Sequence, residues 1–196
     1  MDLSKFIELA DLFEKHGFKL YLVGGSSRDY LLNRDFTDLD LATDALPSEM
    51  KLFLKDADYH FERFGNVHMH HIDITTFRIE QDYHDFRHPF YIKFTRDIKE
   101  DYKRRDLTIN ALYIDKNLKV YDFVDGLFDL ENKIIRFIGD PIKRVQEDPL
   151  RILRAERFAK QLNFKIEAKS YQAMVDNRKL IEKINTSKIK QELMKL

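Results

Sequence analysis

Asp38 and Asp40, in the stretch DLDLAT, stand two residues apart. On a β-strand that spacing puts both carboxylates on one face, with α-carbons about 6.6 Å apart at roughly 3.3 Å of rise per residue. Carboxylates so placed repel each other unless a proton or a cation intervenes. Hard divalent cations such as magnesium accept oxygen donors of this kind together with the phosphates of a substrate. A pair of such ions can activate an attacking hydroxyl and neutralise a leaving group. A solvated strand edge would carry the same two residues without any chemistry.

Just upstream, Gly24 and Gly25 precede Ser26, Ser27 and Arg28. Glycines let backbone N–H groups approach a phosphate, and a helix starting at the serines adds its unpaired donors and positive dipole end. Arg28, in the first helical turn, is placed to clamp the same phosphate. The alternative is a tight strand-to-helix turn in which Arg28 pairs with a neighbouring acid. Further on, Arg104, Arg105 and Asp106 stand before LTINALYID, where Thr108 and Asn110 alternate with apolar Leu107, Ile109 and Ala111. This reads as a strand with one polar face, meeting either partners or solvent.

In EDPLRILRAERFAKQL, residues 147–162, helical spacing gathers Ile152, Ala155, Phe158, Ala159 and Leu162 on one arc, with Arg151 inside it. A guanidinium in an apolar stripe needs a partner, and Asp148 is three residues away. Asp148 before Pro149 is also a helix cap, so the pair reads either as a structural ion pair or as a planar donor and acceptor edge for a nucleobase. Arg154 and Arg157 stand nearby for phosphates. The histidines of HMHH, residues 68–71, alternate as metal ligands do, but an exposed hairpin accounts for them better.

These residues must be positioned by surrounding elements. Leu3, Phe6, Ile7, Leu9, Ala10 and Phe13 predict a helix over 3–16 that stops at Gly17. FKLYLV predicts a strand, followed by the glycine turn, a helix ending near Leu32, and the strand DLDLAT. HHIDITTFRI and LTINALYID predict further strands, residues 80–104 a polar, irregular, mobile loop, and everything from Pro141 onward helices. The composition shift near FIGDP places a domain change at 137–140.

The 196 residues include 43% hydrophobic side chains, enough for a core, and balance 34 basic against 34 acidic residues. Any contact with a polyanion must therefore be local. With no cysteine, disulfides, thiolate metal sites and cysteine nucleophiles are excluded. No apolar run reaches the roughly 18 residues of a membrane span, and the acidic amphipathic N-terminus is unlike a signal peptide. A cytoplasmic protein without membrane contacts is expected.

Taken together, these stretches resemble the class II tRNA nucleotidyltransferase and bacterial poly(A) polymerase family. GGSSRDYLL is similar to its GGxxRDxLL signature, DLDLAT to its metal-binding DxD, RRDLTINAL to its RRDxTINA motif, and EDPLRILRAERF to its base-selecting EDxxRxxR helix. ITTFR at 74–78, RHP at 87–89, DGLFDL at 125–130 and IRFIGDP at 135–141 extend the likeness, which runs from about residue 18 to 167. Ser27 stands where the family usually has a hydrophobic residue.

The resemblance implies an α+β fold. A nucleotidyltransferase (polymerase-beta-like) head with a mixed five-stranded sheet would occupy residues 1–137, and an all-helical neck residues 138–196, with the family's helical body and tail domains absent. It implies that Asp38 and Asp40 hold two magnesium ions and that Gly24, Gly25 and Arg28 hold the triphosphate. Arg105 and Asp106 would contact the sugar region and Asn110 the nucleotide. Asp148 and Arg151 would read the base of ATP or CTP, with Arg154 and Arg157 at further nucleotide-contact positions and Asp73 as a weaker third carboxylate. The loop at 80–104 would help the base pocket switch between cytosine and adenine. The implied activity is template-independent transfer of CMP and AMP to the 3′ end of tRNA. An A-only or CC-only enzyme, a poly(A) polymerase, or a catalytically weak nucleotide- or RNA-binding module are the alternatives.

Overall fold

The computed structural model describes residues 3–83, 86 and 89–195. Its contacts divide the chain into two compact units. The first comprises the described residues up to Ile79 with Ile92–Arg104 and Asn110–Phe123; the second comprises Glu80–Tyr91, Arg105–Ile109 and the chain from Val124 onward.

In the first unit, α1 (Ser4–Lys15) buries Phe6, Leu9, Ala10 and Phe13 at the spacing that places them on one face. Gly17, at φ +82°, turns the chain into β1 (Leu20–Leu22), which leads to α2 (Gly24–Leu31) and β2 (Leu39–Thr43). A short α3 (Pro47–Met50) precedes the hairpin of β3 (Asn66–Met69) and β4 (Ile72–Thr76). Next, β5 (Arg78–Tyr83) and β6 (Pro89–Phe94) form a two-stranded sheet of their own. After α4 (Ile98–Asp101), the strands β7 (Tyr113–Ile114) and β8 (Val120–Tyr121) complete a six-stranded sheet ordered β3-β4-β2-β1-β7-β8. Only the β2–β4 pair is parallel, so the sheet is mixed.

That is one strand more than the five expected. Asp115 Oδ1 accepts the N–H groups of Asn117 and Lys119, and Leu118 adopts φ +63°, so the chain doubles back after β7 and adds β8. On one side of the sheet a core joins the buried face of α1 to Leu22, Leu41, Val67, Ile74 and Ile114. A second cluster gathers Tyr21, Val23, Ala42, Phe77 and Tyr113.

Two local expectations are corrected. LTINALYID is a strand only at Tyr113–Ile114, whereas Thr108–Asn110 is a 3-10 turn. The hydroxyl of Thr108 donates to Asp129 and the side-chain carbonyl of Asn110 accepts from Arg28, so their polar side chains meet buried partners rather than lining a strand face. Residues 80–104, read as an irregular loop, instead contain most of β5 together with β6, α4 and a 3-10 turn over Tyr102–Arg104. Asp97 caps α4 by accepting the Lys99 N–H at 2.8 Å. His84, Asp85, Arg87 and His88, including two residues of the RHP match, lie outside the described residues.

The second unit continues with α5 (Gly126–Glu131), β9 (Ile134–Ile135), α6 (Pro141–Glu147), α7 (Leu150–Leu162), β10 (Lys165–Ile166), α8 (Ala168–Asp176) and α9 (Thr186–Leu193). The stretch from 138 is therefore not wholly helical. Asn163, at φ +54°, ends α7 and turns the chain into β10, which pairs in parallel with β9. The unit consequently takes in residues on both sides of the boundary placed at 137–138. Asp140 caps α6 with Pro141 at its first position, while Asp148 Oδ1 accepts the Leu150 N–H at 3.0 Å at the start of α7. Leu150 and Leu153 of α7 pack with Ile181, Ile184 and Ile189. Among the described residues no helix is long and apolar enough to cross a membrane.

Candidate functional site

In the first unit, β1 runs into α2 without an intervening loop, so the glycines form the helix start rather than precede it. Gly24 adopts φ +68°, a region that favours glycine. A Cβ at Gly24 would stand 2.9 Å from Asp40 Oδ2, and one at Gly25 would stand 3.1 Å from it. This closeness lets the Gly25 N–H donate to Asp40 Oδ2 at 2.8 Å. Buried Ser26 stitches the helix to β2: its hydroxyl donates to the Asp38 carbonyl at 2.8 Å and accepts the Asp40 N–H at 2.7 Å. Both glycines thus bring backbone up to a carboxylate.

Arg28 is buried, and both sequence alternatives bear on it. Its Nε and Nη2 donate to Asp29 at 3.0 and 2.7 Å, the neighbouring-acid pairing, while Nη1 donates to Asn110 Oδ1 at 2.9 Å. The structure therefore joins two of the predicted nucleotide residues, Arg28 and Asn110, which are 82 positions apart.

The parallel register sets Asp40 against Asp73, and the antiparallel register sets Asp73 against His68. Like charges directly opposed cost stability. Here the Gly25 N–H takes up Asp40, and the His68 ring bonds Asp73. Asp38, one step before β2, bonds the His71 ring. The HMHH stretch is thus the end of a hairpin, with His68 and His71 engaged with carboxylates and the His70 ring against that of His71. Among the described residues no group of three or more carboxylate or imidazole donors is assembled around one point. The donor set still fits a hard cation: Asp38 and Asp40 offer carboxylate oxygens, and the remaining positions of an octahedral ion would fall to phosphate oxygens and water.

The second unit holds the other predicted residues. Asp106, with 12% of its side chain exposed, accepts Arg154 Nε and Nη2 at 2.7 and 2.6 Å and the Leu107 N–H at 2.8 Å. Burial alone would push its carboxyl up, but the Arg154 charge and hydrogen bonds, with Arg151 beyond, hold it below the usual carboxylate range. The Asp106 charge in turn raises Arg154. Arg105 offers its backbone carbonyl to Arg144 Nη2 at 2.7 Å.

Arg151 is buried in α7 as its place in the apolar arc required. Its Nη1 donates to the Arg144 carbonyl at 2.8 Å and to Glu147 Oε2 at 2.9 Å, and its guanidinium lies over the Tyr83 ring at 5.8 Å. Glu147, one position before the acid that the sequence reading chose, thus takes part in holding Arg151; the i,i+4 spacing was the signal for it. Arg157 is also buried, its Nε on Glu192 at 2.6 Å and its Nη1 on Gln161 at 3.0 Å, so it pins α7 to α9. Sequence reasoning took His68 and His71 only as alternating histidines and Asp29 only as the acid beside Arg28; their contacts depend on register or adjacency rather than on a motif.

The arrangement comprises a metal-compatible carboxylate pair against a glycine-led helix in one unit and a buried arginine cluster in the other. The chain matches the family model described as the poly A polymerase head domain over residues 20–136. A CCA-adding enzyme of Pediococcus pentosaceus is 47% identical over 188 residues, covering 93% of this chain and 47% of that protein. The crystal structure of the Bacillus stearothermophilus CCA-adding enzyme in complex with CTP superposes with a TM-score of 0.90 at 31% identity, covering 100% of this chain and 49% of that one. A tRNA nucleotidyltransferase complexed with a primer tRNA and an incoming ATP analog is 30% identical with a TM-score of 0.76, covering 95% of this chain and 55% of that one. The chain spans about half the length of the curated relatives it matches.

Proposed function

The chain belongs to the poly(A) polymerase head-domain family, and on that premise we propose that it performs the nucleotidyl transfer of a CCA-adding enzyme, moving CMP and AMP from CTP and ATP to the 3′ end of tRNA. The observation that carries this reading is the stitching of the Gly24–Gly25–Ser26 helix start to Asp40 on β2 and to Asp38 just before it. It supports the reading by bringing the glycine backbone up to the Asp40 carboxylate, with the Asp38 backbone tied to the same helix start.

In this reading Asp38 and Asp40 hold two magnesium ions. When bound, these neutralise the triphosphate and make the attacking 3′ hydroxyl easier to deprotonate. Gly24 and Gly25, bearing no side chains of their own, let the Asp40 carboxylate reach the helix start, and a triphosphate would come up beside it. Arg28, braced by Asp29 and Asn110, supplies a positive charge of fixed orientation. Arg105 and Asp106 serve the sugar, with Asp106 held ionised by Arg154. Asp148 and Arg151 present donor and acceptor groups to the base, and Glu147 and Tyr83 restrict the positions the Arg151 guanidinium can take. Arg154 and Arg157 act mainly by fixing that surface. Residues 1–137 form the head and 138–196 the neck, working in the cytoplasm.

The test is incubation of the chain with magnesium on tRNA transcripts ending before, within and after CC, with labelled CTP and ATP supplied separately and together. Extension by CC and then A is expected. Incorporation of a single nucleotide type would reassign the chain to a partial or poly(A) activity. Nucleotide binding without any extension would leave only a binding module.

A further inference from the structure

The contact between His71 and Asp38 is built into the sheet. The parallel register pairs Leu39 with Ile72, and the Leu39 N–H donates to the His71 carbonyl at 2.8 Å. One step further along that register, Asp38 stands against His71. The hairpin that brings His71 there has only two residues, His70 and His71, between the paired Met69 and Ile72, and His71 adopts φ +56°. Histidine is among the few side chains enriched in that left-handed region. Its ring Nδ1 lies 2.6 Å from Asp38 Oδ1. Asp38 Oδ2 has no hydrogen-bond partner among the described residues, and the side chain is 71% exposed. A carboxylate on an exposed strand end would otherwise sample several rotamers.

Resting on the reading of Asp38 and Asp40 as a metal site, we propose that His71 is a positioning residue that holds Asp38 by one oxygen and leaves the other directed to a divalent cation. Hydrogen-bonded support of a ligating group characteristically tunes metal affinity about 10- to 100-fold.

The test is binding of Mn²⁺, followed by its electron paramagnetic resonance, to the full chain and its variants without tRNA. His71→Ala should weaken Mn²⁺ binding about 10-fold. His71→Asn carries an amide nitrogen near the place of Nδ1 and suits a positive φ, so it should restore most of the affinity. His71→Gln, whose amide reaches past that point, should not. Circular dichroism of each variant establishes that it is folded, and His71→Asn against His71→Gln decides the matter should His71→Ala fail to fold. Wild-type affinity in folded His71→Ala or in His71→Gln, or a His71→Asn no better than His71→Gln, overturns the proposal. Asp38→Ala and Asp40→Ala separate the two claims. If they too bind Mn²⁺ normally, the metal-site reading itself is wrong; if they lose it while His71→Ala does not, only the role of His71 is.

Discussion

A methyl group added at Gly24 would meet two obstacles, the left-handed φ and an Asp40 oxygen 2.9 Å away. Gly24→Ala is therefore expected to cost about 1–3 kcal/mol in urea unfolding and to displace the Asp40 carboxylate. Asp38→Ala with Asp40→Ala should leave the fold intact by circular dichroism, yet cut magnesium-dependent transfer by at least about 10²-fold. At Arg151 the expected loss is in discrimination: Arg151→Ala should bring the kcat/KM ratio of CTP to ATP toward unity, and an unchanged ratio would remove its base-reading role. Asp106 gives a pH signature. Its carboxyl is depressed in the folded chain, so the stability it contributes is present above its unfolded value near 3.8 and lost as pH falls through the lower folded value. Asp106→Asn should cost about 2 kcal/mol near neutrality, less than a fully buried pair because Arg154 keeps a third of its side chain in water. The difference from wild type should shrink only below about pH 4.

Among the elements, α9 depends on one buried ion pair and a few isoleucines. Glu192→Ala strands the Arg157 guanidinium, whose side chain is 10% exposed, and should release α9 to limited proteolysis at a cost of about 3 kcal/mol. Where residues close in sequence decide structure, the sequence was readable: the apolar stripe of α1, the glycine turn into α2, the two-apart aspartates and the buried Arg151 on α7 all follow from spacing. Where distant residues decide it, the sequence was not. Thr108 and Asn110 alternate as in a strand, yet they lie in a 3-10 turn and bond Asp129 and Arg28. The β5–β6 pairing was hidden by its polar and aromatic composition. His71 finds Asp38 across 33 positions only because β2 and β4 run parallel in one register.

For the whole molecule, the net charge of zero means that ligand effects should come from the local sites rather than from a global field. Saturating CTP or ATP with magnesium, at about 100 times Kd, should stabilise the folded chain by about 2.7 kcal/mol. Calorimetry should find the magnesium-dependent part of that gain gone when Asp38 and Asp40 are both alanine. The chain passes from one unit to the other five times, after Ile79, Tyr91, Arg104, Ile109 and Phe123. During synthesis on the ribosome this interleaving becomes a delay. Asp106 emerges 48 residues before Arg154, and at about 5–20 residues per second its charge stays in water for roughly 2–10 s before its partner exists. No single cut can then yield both units whole, and a nascent chain released early would carry the Arg105–Ile109 stretch with nowhere to dock.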